Sequence, residues 1–275
     1  MSGANAPDPE YVAARCVLLD ALEALGTHCK AVVLVGAQAI YLHVGEGDLA
    51  VSPYTTDGDL AIDPRELDDE PRLAAALRAA GFDLTVRPGS WSMSDVQIDL
   101  LVPASMGGPG RRGARLGPHG NEVARKASGL EAAVVDHDRV RVSALDPADD
   151  RAFDIQVAGV AALLVAKLHK IHERKDDQAR RQDKDGLDVL RLLRHAPTAP
   201  LAQTLAKLAG HAIASEVTTQ ARDLLRDMFA DRDAAGTQMA VRASAGLEDE
   251  ITIAASCETL ARQLLDAWPE DEGGR

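Results

Sequence analysis

The sequence predicts an α+β protein: a mixed β-sheet with helices, followed by a helical C-terminal domain. Between residues 30 and 102, short apolar runs alternate with helical patterns, the order that builds a sheet covered by helices. From Val157 onward strand signals give way to helical periodicity, with Val160, Leu164, Leu168 and Ile171 forming one stripe. Between these patterns the acidic run Asp146-Pro147-Ala148-Asp149-Asp150 sets the expected boundary, giving a sheet-bearing domain over 1–150 and a helical domain over 151–275.

Each element has its own signal. Val12, Cys16, Leu19 and Leu22 recur at helical spacing and the pattern stops at Gly26, which predicts an opening helix over 11–25. Residues 30–35 read as a buried strand, 37–44 as a short helix and 59–62 as a second strand. An Ala/Leu helix over 71–80 is ended by Gly81, and 82–86 and 93–102 read as further strands. Residues 132–135 and 139–145 predict a closing hairpin turned at Asp136-His137-Asp138. Residues 199–233 predict two helices and 244–268 one or two more.

With 275 residues and 46% hydrophobic content, the chain can bury a real core. Aromatic residues make up 3%, so that core is built from Leu, Val, Ile and Ala, with few platforms for stacking bases. A formal charge of −13 argues against a protein that coats nucleic acid non-specifically. A local exception is the Gly-rich stretch holding Arg111, Arg112, Arg115, Arg125 and Lys126, which reads either as the place for a polyanionic acceptor or as a solvated loop. Cys16, Cys29 and Cys257 form no CxxC pair, which speaks against a disulfide framework or a zinc site and fits a reducing, cytoplasmic compartment. The first ten residues lack the pattern of a secretory signal. No apolar run approaches the roughly 20 residues that span a bilayer, so no membrane partner is expected.

The chemistry concentrates in Thr55-Thr56-Asp57-Gly58-Asp59-Leu60. In a strand, Asp57 and Asp59 would project from one face about 7 Å apart, a repulsive arrangement unless a cation sits between them. Asp-Gly-Asp is also an ordinary turn tripeptide. The strand reading gains from Val96-Gln97-Ile98-Asp99-Leu100, which alternates so that Asp99 stands on the face opposite Ile98 and Leu100. Three carboxylates on two strands can hold two divalent cations about 3.5 to 4 Å apart, the arrangement used for phosphoryl and nucleotidyl transfer.

The order of a strand, Gly36-Ala37-Gln38-Ala39, a helix, Thr55-x-Asp57-x-Asp59 and a later Asp99 resembles the DNA polymerase β superfamily of nucleotidyltransferases, and within it the AbiEii/MenT-like toxins. Leu163-Leu164-Val165-Ala166-Lys167-Leu168 and Asp183-Lys184-Asp185-Gly186-Leu187-Asp188 match the later Lys and Lys-Asp-x-x-Asp segments of that family. The resemblance spans roughly residues 30 to 195 and implies the nucleotidyltransferase fold. It implies that Asp57, Asp59 and Asp99 ligate Mg²⁺ or Mn²⁺ and act with Lys167 as catalytic residues. Gly36, Ala37, Thr55, Lys167, Lys184 and Asp185 would bind the NTP, with Lys184 and Asp185 as a paired site. Arg181, Lys184, Asp185 and Asp188 would share a helix face away from Leu187, Leu190 and Leu193. The chain departs from the family at Ala37, which supplies no hydroxyl, and at Ser52-Pro53-Tyr54, where a basic residue often stands.

The implied activity is transfer of NMP from an NTP to an acceptor hydroxyl, on tRNA, by a toxin or phage-defence enzyme that a cognate antitoxin controls. Arg111, Arg112 and Arg115 are the candidate acceptor-binding residues. Two alternatives remain: a small-molecule, aminoglycoside-type nucleotidyltransferase, and an inactive interaction protein with this fold. His169 and His172 read as surface or phosphate-adjacent groups, since no third ligand at a diagnostic spacing accompanies them.

Overall fold

Helix α1 (Pro9–Leu25) starts where the Asp8 carboxylate accepts a hydrogen bond from Glu10 N at 2.8 Å, and it stops at Gly26. The computed structural model describes residues 8–45, 55–175 and 182–268; Ser52-Pro53-Tyr54 and Arg181 lie outside the described residues. A 3-10 turn (Gly26–Ala31) leads into β1 (Val32–Val35), whose four residues are all buried, and α2 (Gly36–Val44) follows at once. Then come β2 (Asp57–Ile62), α3 (Leu73–Ala79), β3 (Asp83–Leu84), β4 (Ser90–Met93) and β5 (Val96–Pro103). The 93–102 segment is not one strand, because Ser94 and Asp95 take φ values of 50° and 66° and turn the chain between β4 and β5. Strands β6 (Arg125–Ala127), β7 (His137–Ser143) and β8 (Ala152–Ala158) complete the sheet.

The described residues thus form a mixed sheet in the order β3-β4-β5-β2-β1-β8-β7, with β6 paired beside β5. Strand β1 runs antiparallel to β2 and parallel to β8, while β2 and β5 are parallel. Helix α1 packs on β2 and β5. A Cβ on Gly58 would meet Ile98 Cδ1 at 2.8 Å and Leu18 Cδ1 at 3.5 Å, so the Gly58 face of β2 is filled by α1 and the sheet core.

The chain divides into two compact units, the first formed by Met1–Tyr41, Ser52–Ala127 and His137–Ala158, the second by Leu42–Val51, Ser128–Asp136 and Gly159–Arg275. The expected hairpin therefore sits one element later. Residues 132–135 form turns, β7 pairs with β8, and the acidic run 146–150 lies in the connection between them rather than at a domain boundary. The local reason is Asp136: its carboxylate accepts from Ala162 N at 3.1 Å and its carbonyl from Gly159 N at 2.8 Å, so it caps a helix start instead of turning a hairpin.

The second unit is helical: α4 (Val160–Arg174), α5 (Asp183–His195), α6 (Thr198–Ala209), α7 (Ser215–Phe229), α8 (Ala235–Ala243) and α9 (Glu250–Ala267). Gly186 lets α5 and α8 touch, since a Cβ there would meet Met239 Cβ at 2.7 Å and Gly236 O at 2.8 Å. Among the described residues no helix is long and apolar enough to cross a membrane.

Candidate functional site

The parallel register of β2 and β5 sets Asp59 directly beside Asp99, with Asp57 beside Gln97. Parallel partners point to the same face, so all three acids share one side of the sheet. Gly58, Leu60, Ile98 and Leu100 are buried on the other side, while Asp57, Asp59 and Asp99 are half-buried. Strong core packing on one face thus dictates where the acids go.

Local contacts fix each acid. The turn from β1 into α2 passes through Gly36 at φ +71°, and a Cβ there would overlap the Asp59 side chain. Only glycine suits both the left-handed backbone and the close approach. Thr55 is fully buried and its hydroxyl donates to Asp57 Oδ1 at 2.5 Å, so it orients the first acid. Behind Asp57, Gln38 Nε2 donates to the Asp57 carbonyl at 3.1 Å and to Ala14 O at 3.3 Å. Gln38 Oε1 in turn accepts from Arg15 Nε at 2.8 Å. Arg15 is itself buried and also donates to Tyr11 Oη at 2.9 Å and Ser143 O at 3.0 Å.

Asp99 differs from the other two. Arg125 Nη2 stands 2.6 Å from Asp99 Oδ2, with the side chains 31% and 21% exposed. Asp99 Oδ1 is buried without a hydrogen-bond partner. Among the described residues no three His, Cys, Asp or Glu side chains converge closely enough to hold a metal ion. The three acids are aligned, but Asp99 is turned to an arginine.

Lys167 and Asp185 belong to a separate cluster in the second unit. Lys167 Nζ lies 2.7 Å from both Asp185 Oδ1 and Asp188 Oδ2, with side-chain exposures of 4%, 1% and 1%. Lys170 at 3.3 Å and Arg174 at 3.5 Å approach Asp185, and Arg191 at 3.1 Å approaches Asp188. Burial works against the charge on Lys167, but Asp185 and Asp188 outweigh it and hold its pKa well above the usual lysine range. Burial likewise opposes ionisation of Asp185, yet Lys167 and Lys170 hold its carboxyl well below the usual range.

Three site expectations change accordingly. Asp185 pairs with Lys167, not with Lys184. Asp185 and Asp188 face inward, because the buried ammonium on α4 requires carboxylates opposite it. His169 is a core residue whose Nε2 donates to Val217 O at 2.8 Å. Arg111, Arg112 and Arg115 are exposed, and their side chains have no hydrogen-bond or ion-pair partner among the described residues. Ala37 is buried in the first turn of α2.

Sequence reasoning missed Arg15, Gln38 and the pairing of Arg125. Arg15 carried a signal, a charge on the same α1 face as Leu18, Leu19 and Leu22. Nothing local links Arg125 to Asp99, since their meeting depends on β6 pairing beside β5. No protein-family model, curated protein or solved structure matches this chain.

Proposed function

We propose that the chain is a divalent-cation-dependent nucleotidyltransferase that moves a nucleoside monophosphate from an NTP to an acceptor hydroxyl and releases pyrophosphate. The observation that carries this reading is the β2–β5 register, which gathers Asp57, Asp59 and Asp99 on one sheet face beside the Gly36 turn. Asp57 and Asp59 fit a hard cation, being half-buried oxygen donors on the face away from α1. A cation held there supplies Lewis-acid polarisation of phosphoryl oxygens.

The remaining work falls to the chain's own groups. Backbone N–H groups at Gly36 and Ala37, in the first turn of α2, offer a phosphate cradle without a hydroxyl. Thr55 holds the Asp57 rotamer, and the Arg15–Gln38 relay holds its backbone. Asp99, whose Oδ2 faces Arg125, is the half-buried carboxylate assigned to take the proton of the acceptor hydroxyl. Lys167 is committed to Asp185 and Asp188, so no direct phosphate contact is assigned to it.

The resemblance to AbiEii/MenT-like toxins supports tRNA as acceptor and an antitoxin as partner, with exposed Arg111, Arg112 and Arg115 as the acceptor contact. The charge of −13 favours a second reading, a cationic small-molecule acceptor. Reversing charge at the three arginines abolishes transfer to RNA under the first reading and spares transfer under the second. The direct test incubates the protein, and an Asp57→Ala control, with Mg²⁺, each α-labelled NTP and total tRNA. Label on RNA from the unaltered protein alone is expected; no label with any NTP overturns the tRNA reading.

A further inference from the structure

Asp99 already carries a cation of the protein's own. The Arg125 guanidinium is delivered by a strand rather than a loose loop: β6 runs parallel to β5 with Arg125 opposite Leu101, two residues beyond Asp99 and on the same face. Its backbone is held on both sides. Fully buried Trp91 donates Nε1 to Val123 O at 3.0 Å, Ala114 N donates to Ala124 O at 2.9 Å, and Lys126 N donates to Arg112 O at 2.8 Å. Gly89, at φ +76°, lies where a Cβ would meet Arg125 N at 2.5 Å and Leu100 O at 2.6 Å, so β5 and the start of β6 close around it.

The pairing has two consequences. A divalent cation brought to Asp99 would have to displace the guanidinium or sit against it, and like charges that close repel. Arg125 meanwhile commits only Nη2 to Asp99, and its other N–H groups have no partner among the described residues. A planar fork with spare donors suits phosphoryl oxygens.

We infer that Arg125 takes the place of a second divalent cation: the chain binds one cation at Asp57 and Asp59, while Asp99 carries Arg125, whose free donors serve the phosphoryl oxygens of the nucleotide. This rests on the transferase reading. Asp99 is then a positioning residue for Arg125 as well as the assigned proton acceptor.

Calorimetric Mn²⁺ titration of the full chain, with and without NTP, tests it without any turnover. One Mn²⁺ per chain is expected, weakened at least about tenfold in Asp59→Asn and unchanged in Asp99→Asn. Arg125→Ala is expected to open a second Mn²⁺ site at the freed carboxylate, and Arg125→Lys, which keeps the charge, to retain one. Two Mn²⁺ per unaltered chain, loss of Mn²⁺ in Asp99→Asn matching that in Asp59→Asn, or no second site in Arg125→Ala each overturns the inference while leaving the transferase reading standing. Mn²⁺ bound by no variant, with or without NTP, overturns both.

Discussion

Asp99 on the sheet and Asp185 in the helical unit each face a basic side chain, but the surroundings are opposite. Asp99 meets one guanidinium, both groups remain partly exposed, and one carboxylate oxygen is unbonded. Asp185 is 1% exposed and meets Lys167, Lys170 and Arg174 together. In the first case solvent screens the pair and either partner can turn to a ligand. In the second, any unpairing leaves a charge stranded away from water. Burial and saturation, more than the presence of an ion pair, separate a group available for chemistry from one that holds the fold.

The strongest way to break this comparison is Lys167→Met, which takes the buried ammonium from between two buried carboxylates and leaves Asp185 to Lys170 and Arg174 and Asp188 to Arg191. It is expected to cost about 3–5 kcal/mol in denaturant unfolding. A triple variant, Lys167→Met with Asp185→Asn and Asp188→Asn, is expected to recover part of that loss, because the two carboxylates are neutralised together with the ammonium, while Lys170, Arg174 and Arg191 lose these carboxylates. Recovery separates a structural lysine from one needed only for substrate.

The same cluster sets a pH dependence. The native carboxyl of Asp185 is held below its unfolded value of about 3.9, so it binds fewer protons folded than unfolded. Its stabilisation is fully present above about pH 5 and is lost as pH falls through the carboxylate range. Asp63 has the same sign: burial opposes ionisation but hydrogen bonds from Arg65 outweigh it. The raised Lys167 keeps its contribution at neutral pH and loses it only in alkali above about 10.4. Thermal unfolding scanned across pH is expected to show a steeper acid loss in the unaltered protein than in Asp185→Asn.

A smaller effect is expected at Gly36→Ala, which forces a left-handed residue and a Cβ against Asp59. It should cost about 1–3 kcal/mol and shift the Asp59 carboxylate, read as weakened Mn²⁺ binding. The smallest stability effect belongs to Asp99→Asn, about 0–1 kcal/mol, as expected for a partly exposed pair. That substitution is nonetheless expected to slow transfer by about 10²-fold or more if Asp99 takes the acceptor's proton.

Much of the sheet was legible in the chain. Helix α1, strand β1, the acidic strand β2 and the placing of Asp99 opposite Ile98 and Leu100 follow from local periodicity, and the structure contains them. The side-by-side placing of Asp59 and Asp99 needed strand register, which no single segment encodes. Residues 132–135 look like a strand because they are apolar, yet Asp136 is spent on the start of α4 and the hairpin forms between β7 and β8. Spacing sets Asp185 and Asp188 on a face away from Leu187, Leu190 and Leu193, yet both are buried, because their partner Lys167 comes from α4. Charges become buried through distant partners, and distant partners are what local periodicity lacks.

The most direct measurement is pyrophosphate release with Mg²⁺, mixed NTPs and total tRNA, comparing the unaltered protein with Asp59→Asn after both are shown to unfold at the same temperature. Release matching the nucleotide incorporated, and lost in Asp59→Asn, is predicted. Equal release from both proteins would contradict a catalytic role for the aligned acids of β2 and β5.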